Sequence, residues 1–500
     1  MGTNPLTYKQ RFIKNLSFLY LATLISKIFA LVINIILVRK LGASIYGAYG
    51  FALTFVTCFA LIADSGLSTY GETVIAKHNG GVKKDVRKIV GDIFSLNLFL
   101  SFAFGIILVF IAVNVFRLGT VQANMLVLFS LLPLANTFSF SYVIKALEKN
   151  QIMSLSVFFG RLIYFAGVIL FVVKRNDYLY AVLFFIIGTF LTSIVQFGYV
   201  VKMIGWIKLN FSLKSFKSLA VDGMPFGIVT VLLVFYGSLP VLFLKIFSSD
   251  KNIGYFYMAG RLVFFVSSFV ALIIGAFIPI VSEAVKNRDF NKQSSIVSEL
   301  LRFNYTFLIP VCLGGVALSG LIISVLFGSK YLTSAAVLDI MIWSILFIGV
   351  SSVFNGYLTA LQDRKSLIAS AFAASFIGLF AAPVLIKLYG VYGGAAASVL
   401  TEFIMSAALI VFTVKSGRGK DAGAPGGLNI LNIKVDWLNF IKVMFTSLLM
   451  AVAVWFLSVP LHFNLAACIA GGIFIYFVLS IILGTITGKD LAELRGMAKR

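Results

Sequence analysis

Three cations sit deep inside runs of apolar residues long enough to span a bilayer: Lys27, Arg161 and Arg261. A charge at that depth is costly, so a chain keeps one for a buried ion pair, a water-filled cavity or an anionic ligand. Lys27 lies about ten residues, roughly 15 Å, from either end of its run, too far for its side chain to reach water. Thr23 at i−4 and Asn34 at i+7 share its helical face and make a polar stripe. Arg161 is mid-run, with Ser154 at i−7 and Tyr164 at i+3, and its planar fork of N–H donors matches phosphate oxygens. Arg261 sits nearer one end of its run, with Tyr257 and Ser268 on its face. Two acids lie at comparable depth. Glu402 stands between Ser398 and Ser406, and Asp339 has Trp343 at i+4. Each acid either neutralises one of the cations or binds a coupling proton or sodium ion. A pore for cations calls for rings of acids, so the excess of buried cations favours an anionic cargo.

The elements that hold these residues are helices. The chain has 500 residues, 60% hydrophobic and 12% charged, with mean hydropathy +1.03. That is too little polar surface for a soluble protein, and points to an all-α polytopic membrane protein. Fourteen spans follow from the apolar runs: 16–38, 44–66, 93–116, 121–144, 152–173, 178–201, 219–244, 253–280, 304–327, 332–359, 366–386, 391–414, 437–458 and 463–485. Of the 41 Lys and Arg, 28 fall in segments on the side of the amino terminus and nine on the other. Positive segments mark the cytoplasm, so both termini of this multi-pass protein are expected there. The same topological use of charge accounts for the net +23, and nucleic acid is not an expected partner. Lys442 is near a span end and snorkels. The first span contains Lys27 and runs into Arg39-Lys40, unlike a cleavable signal. Cys58, Cys312 and Cys468 fall inside spans, and only two histidines occur, so neither a metal centre nor a cofactor is expected.

Two stretches echo each other about two hundred residues apart. Ala146-Leu147-Glu148-Lys149-Asn150 ends span four as Ala360-Leu361-Gln362-Asp363-Arg364 ends span ten. Ile45-Tyr46-Gly47-Ala48-Tyr49 opens span two as Asn252-Ile253-Gly254-Tyr255-Phe256-Tyr257 opens span eight. Two parallel six-helix repeats are therefore expected, residues 1–203 and 219–414. A cytoplasmic linker (204–218) joins them, a Gly-rich linker (415–436) follows, and 437–500 form an added helix pair and tail. Paired bundles of this kind are a transporter plan. Ile204–Ser218 and Val281–Phe303 are expected as the long cytoplasmic, polar loops within the first twelve spans. Gly223, Pro225, Gly237 and Pro240 are expected to interrupt span seven and make it a bending element, with Pro279 and Pro310 breaking spans eight and nine. Asp64, Asp92, Asp222 and Glu283 lie near the cytoplasmic interface, where capping or loop pairing is expected. Thr189, Ser193 and Gln196 on one face, and Asn97 and Ser101 on another, either line a polar path or bind helices together.

Arg39-Lys40-Leu41-Gly42 with Tyr46-Gly47-Ala48-Tyr49, and Asp64-Ser65-Gly66-Leu67-Ser68 after span two, resemble patterns of polysaccharide exporters. So do Gly254-Tyr255-Phe256, Pro279, Leu326-Phe327-Gly328 with Tyr331, and Gly390-Val391-Tyr392-Gly393-Gly394-Ala395-Ala396. Over residues 10–415 the chain resembles Wzx-type flippases of the multidrug/oligosaccharidyl-lipid/polysaccharide exporter superfamily. The resemblance implies a V-shaped pair of bundles that moves an undecaprenyl-diphosphate-linked repeat unit outward by alternating access. It also implies a place in a bacterial cytoplasmic (inner) membrane and service in O-antigen or lipopolysaccharide assembly, with membrane lipids and the polysaccharide polymerase machinery as neighbours. Lys27, Arg161 and Arg261 would then hold the diphosphate, and Thr23, Asn34, Ser154 and Tyr257 would line the cavity. The alternative is a drug or metabolite antiporter of the same superfamily. A membrane enzyme is not expected, because the outward loops are short and carry no acid–base or nucleophile constellation.

Overall fold

The computed structural model describes residues 8–77, 83–117, 119–418 and 436–485, and these are helical without strands. The cause is elementary. In hydrocarbon each backbone N–H and C=O must be satisfied within its own segment, and an apolar run of about 20 residues does this as a helix. Twelve stretches among the described residues are long and apolar enough to cross a membrane. Two of them, Thr23–Asp64 and Arg364–Lys415, hold two spans each, which gives fourteen. The joins are Gly42 (φ 81°, ψ 165°) and Gly390 (φ 57°, ψ −129°), conformations that glycine reaches without the Cβ penalty. The protein is thus a multi-pass, all-α membrane protein.

Contacts divide the chain into two compact units, Met1–Tyr257 and Met258–Arg500. The first contains α1 (Tyr8–Asp64), α2 (Leu67–Lys77), α3 (Lys83–Asn114), α4 (Val121–Phe129), α5 (Leu132–Thr137), α6 (Ser141–Ala146), α7 (Asn150–Phe171), α8 (Tyr178–Ile204) and α9 (Leu213–Phe247). Span four is segmented into α4, α5 and α6, with Pro133 in the first turn of α5, where its missing N–H costs no internal bond. Helix α7 packs on α1 and α8, and α9 packs on α1, α2 and α3. The segment after α8 is fastened to α3 by Arg87 Nε to the Ile204 carbonyl (2.8 Å), Asn210 Nδ2 to Asp92 Oδ1 (2.7 Å) and Asn210 N to Ser95 Oγ (2.8 Å).

The second unit takes most of α10 (Asp250–Lys286), then α11 (Phe290–Leu326), α12 (Thr333–Met341), α13 (Ser344–Ala360), α14 (Arg364–Arg418), α15 (Trp437–Ser458) and α16 (Leu465–Ile482). Carboxylate and amide caps open several of these: Asp289 accepts from Lys292 N, Asp436 from Asn439 N and Asn464 from Ala467 N. The last two helices lie against α11. Tyr476 donates to the Thr306 carbonyl (2.6 Å), and Asn439 reaches Tyr305 (3.4 Å).

Three sequence expectations need correction. Val281–Phe303 is not a long loop, since α10 runs to Lys286 and α11 starts at Phe290. Gln293 explains the helical form of this polar stretch: it accepts from Tyr357 Oη (2.9 Å) and donates to the Ala284 carbonyl (3.1 Å), fixing α11 to α13 and α10. Pro279 and Pro310 lie inside α10 and α11, which continue past them. Each proline forfeits one hydrogen bond, and the neighbouring helices hold the rest of the ladder together. Span seven is likewise one uninterrupted helix, α9, through Gly223, Gly237 and Pro240.

Candidate functional site

Lys27 and Arg161 stand at one level in the first unit. Phe29, two residues after Lys27, packs on Phe158 (5.9 Å between ring centroids) and stacks on Phe165 (5.2 Å). Those two rings bracket Arg161 on α7, three residues before it and four after. Both cations are half-buried. The Arg161 guanidinium lies 5.9 Å from the Phe185 ring centroid of α8, a cation–π contact that helps to hold the planar group.

Around this level is a group of buried hydroxyls and rings. Tyr164, one turn beyond Arg161, has its hydroxyl 2.9 Å from that of Tyr49. Tyr49 stacks with Tyr46 (6.1 Å), and Phe129 and Phe185 pack against Tyr49 and Tyr164 respectively. The Tyr46 hydroxyl donates to Asn34 Oδ1 (2.7 Å), while Asn34 Nδ2 donates to the Ala30 carbonyl (2.5 Å). This joins the two halves of α1 across the break at Gly42. Tyr46, Tyr49 and Tyr164 are all buried. The spacing Tyr46–Tyr49, one helical turn, is the sequence signal for this group, and the phenol partner on α7 is not visible in it.

The expected lining residues take varied places. Thr23 is half-buried on α1, and Asn34 is engaged as above. Ser154 is buried two turns before Arg161 on α7. Tyr257 is buried with its ring edge toward Tyr46 (5.5 Å). Gln196 is buried and bonded at both ends, accepting from Ser139 Oγ (2.9 Å) and donating to Ser156 Oγ (3.0 Å). Thr137 donates to Ser101 (2.8 Å), so these two polar faces tie helices together.

In the second unit Arg261 is half-buried on α10. Asp339 is half-buried on α12 beside Ser319 of α11, and its Oδ1 is enclosed without a hydrogen bond. Glu402 is half-buried on α14. Its flanking serines use their hydroxyls on their own helix, Ser398 to the Gly394 carbonyl and Ser406 to that of Phe403. An apolar cavity of about 1720 Å³ lies among α11, α15, α16 and their neighbours, with Phe307, Leu318, Phe440, Met450, Ile473 and Phe477 in its wall.

Comparison with solved structures finds the same fold. A lipid II flippase MurJ in an inward closed conformation aligns with TM-score 0.73 at 18% identity, over 93% of this chain and 98% of that one. An inward-facing multidrug resistance MATE family transporter of the MOP superfamily aligns with TM-score 0.66 at 13% identity, over 80% and 96%. A MOP superfamily transporter from Pyrococcus furiosus, described as having a binding pocket of reverse polarity, aligns with TM-score 0.58 at 13% identity, over 82% and 97%. No curated protein matches the chain. The family described as "Polysaccharide biosynthesis protein" matches residues 12–285. That match covers more than half of the sequence and agrees with the Wzx-type resemblance of its motifs, so the chain belongs to the polysaccharide biosynthesis protein family.

Proposed function

We propose that this protein is a flippase that carries an undecaprenyl-diphosphate-linked oligosaccharide from the cytoplasmic to the outer leaflet of a bacterial cytoplasmic membrane, by alternating access. The observation that carries the reading is the placement of Lys27 and Arg161 at one level on packed helices. Two cations at mid-depth suit a diphosphate, whose oxygens take charge-assisted hydrogen bonds from both. The apolar cavity of the second unit has the chemistry to hold a polyprenyl tail.

On this reading Arg261 guides the diphosphate outward. Glu402 or Asp339 couples transport to a proton or sodium gradient, and both termini lie in the cytoplasm. Two parallel six-helix repeats, at 1–203 and 219–414, supply the rocking elements. The molecule works beside polysaccharide polymerase machinery in O-antigen or lipopolysaccharide assembly.

The test uses proteoliposomes holding a fluorescent lipid-linked oligosaccharide, with arrival in the far leaflet read by quenching. Lys27→Ala and Arg161→Ala abolish flipping while the proteins still insert and purify as single species. Full flipping by both variants overturns the diphosphate assignment. Extrusion of cationic dyes that ignores both substitutions favours the antiporter alternative. Coupling to protons fails if an imposed pH gradient leaves the flipping rate unchanged.

A further inference from the structure

The end of α1 carries a second polar cluster, which the diphosphate reading does not use. Asp64 closes the helix, and Ser65 (φ 46°) and Gly66 (φ 76°) turn the chain into α2. The turn is seated on the backbone of α9. A Cβ on Gly66 would stand 2.1 Å from Gly227 N, and one on Gly227 would stand 2.3 Å from the Ser65 carbonyl oxygen. Within the turn Asp64 Oδ1 accepts from both Ser68 N (3.3 Å) and Ser68 Oγ, which is the capping role expected from the sequence.

Capping does not exhaust the cluster. The Asn97 side-chain N–H of α3 and the Gly66 backbone N–H also donate to the Asp64 carboxylate, while Asn97 Oδ1 is enclosed without a hydrogen bond. Tyr142 of α6 is 4% exposed, and its hydroxyl has no hydrogen-bond partner either. The charge that acts on this phenol is Asp64. The surroundings are hydrocarbon, including Leu67, Ile93 and Phe140. Among the described residues no lysine or arginine forms an ion pair with Asp64.

The Asn97 and Tyr142 oxygens are enclosed without donors, and the Asp64 carboxylate has hydrogen bonds but no cation among the described residues to balance its charge; both are costly. A proton on Asp64 would serve one acceptor. A metal cation serves the carboxylate, the amide oxygen, the phenol oxygen and the serine hydroxyl at once, and hard cations take oxygen ligands of this kind. One carboxylate balances one positive charge, so the fit is to a monovalent ion.

We propose that Asp64, Ser68, Asn97 and Tyr142 form a binding site for a monovalent alkali cation, sodium in the first place. The half-buried carboxylate gives the ion a way in. The bound ion draws the α1–α2 turn, α3 and α6 together. Because that turn rests on Gly227, occupancy also firms the seat of α9. This site does not depend on the nature of the cargo and is separate from Glu402 and Asp339.

Sodium binding is measured on the purified full-length protein in detergent, without any lipid-linked sugar. The readouts are radiolabelled sodium retention and the rise of Tm with NaCl, against choline chloride at equal ionic strength. The parent protein shows saturable binding and a sodium-specific rise. Asp64→Asn abolishes both, and Tyr142→Phe and Asn97→Ala weaken affinity tenfold or more. If Asp64→Asn does not purify as a single species, Tyr142→Phe decides, because it removes only a hydroxyl that makes no hydrogen bond. Unchanged affinity in Tyr142→Phe overturns the site. So does an equal rise with choline, dependence on pH without dependence on sodium, or binding that survives Asp64→Asn and disappears in Glu402→Gln.

Discussion

The Tyr49 and Tyr164 hydroxyls lie 2.9 Å apart and join the second half of α1 to α7, one turn from Arg161. Both rings are buried, so either phenol left alone would be an enclosed polar group. Tyr49→Phe or Tyr164→Phe alone is therefore expected to cost about 1–3 kcal/mol. The double variant removes both polar groups and recovers most of that loss. Thermal unfolding of the four proteins in one detergent measures the cycle, and additive single losses would contradict the pairing.

Arg161 rests over Phe185, and its guanidinium has a planar fork of N–H donors suited to bidentate bonding. Lysine keeps the charge but has neither the fork nor the flat face. Arg161→Lys should lower flipping about tenfold or more, since a hydrogen bond to a charged group is worth about 1.5–3 kcal/mol. Expression and Tm stay near the parent's. Flipping assays on matched proteoliposomes check this, and parental rates in the lysine variant would assign Arg161 a simple charge role.

The second half of α1 meets the start of α10 at two glycines. A Cβ on Gly254 would stand 2.0 Å from the Ala43 carbonyl oxygen, and one on Gly47 1.8 Å from that of Asp250. The obstacles are backbone atoms, which cannot swing away. Gly254→Ala is expected to lose about 1–3 kcal/mol by overpacking. Gly237→Ala on α9 meets open space and should be neutral or up to about 1 kcal/mol stabilising. The difference in Tm between the two alanine variants reads the effect directly.

Tyr70 on α2 is held above the ordinary tyrosine value, first by burial and then by the adjacent Asp222 carboxylate, which also accepts its hydrogen bond. Folded Tyr70 thus ionises later than unfolded Tyr70. Its contribution to stability is whole below about pH 10 and is lost as pH rises through the folded-state value. Asp222→Asn should shift the ionisation of Tyr70 to lower pH. The measurement is the phenolate absorbance difference between proteins with and without Tyr70→Phe.

Spans were legible because hydropathy sees what hydrocarbon enforces, and their number, fourteen, agrees with the structure. The same reasoning failed at Val281–Phe303. A hydropathy window registers where a helix leaves the bilayer, whereas the helix itself continues for as long as Gln293 and its partners satisfy it. The interior of span four was also hidden, since its division into three short helices depends on Pro133 and on packing against α3 and α8. For the candidate site, Lys27 and Arg161 stood out by charge alone. Their common level did not, because it is set by Phe29 lodging between Phe158 and Phe165, contacts 129 and 136 residues apart in sequence. Asp64 was legible as a cap, but the orphaned oxygens of Asn97 and Tyr142 beside it appear only when three helices are brought together.

Helices α10 and α11 have 37 residues each, about 55 Å of continuous helix at 1.5 Å per residue, against a hydrocarbon core of about 30 Å. Their join takes only Asn287, Arg288 and Asp289. The pair therefore stands several turns clear of the lipid as a stiff post, and any tilt within the membrane is magnified at its tip. A spectroscopic label at Asn287 would act as the pointer of a gauge, converting shifts of an ångström or two at bilayer depth into displacements large enough to resolve between resting and working protein.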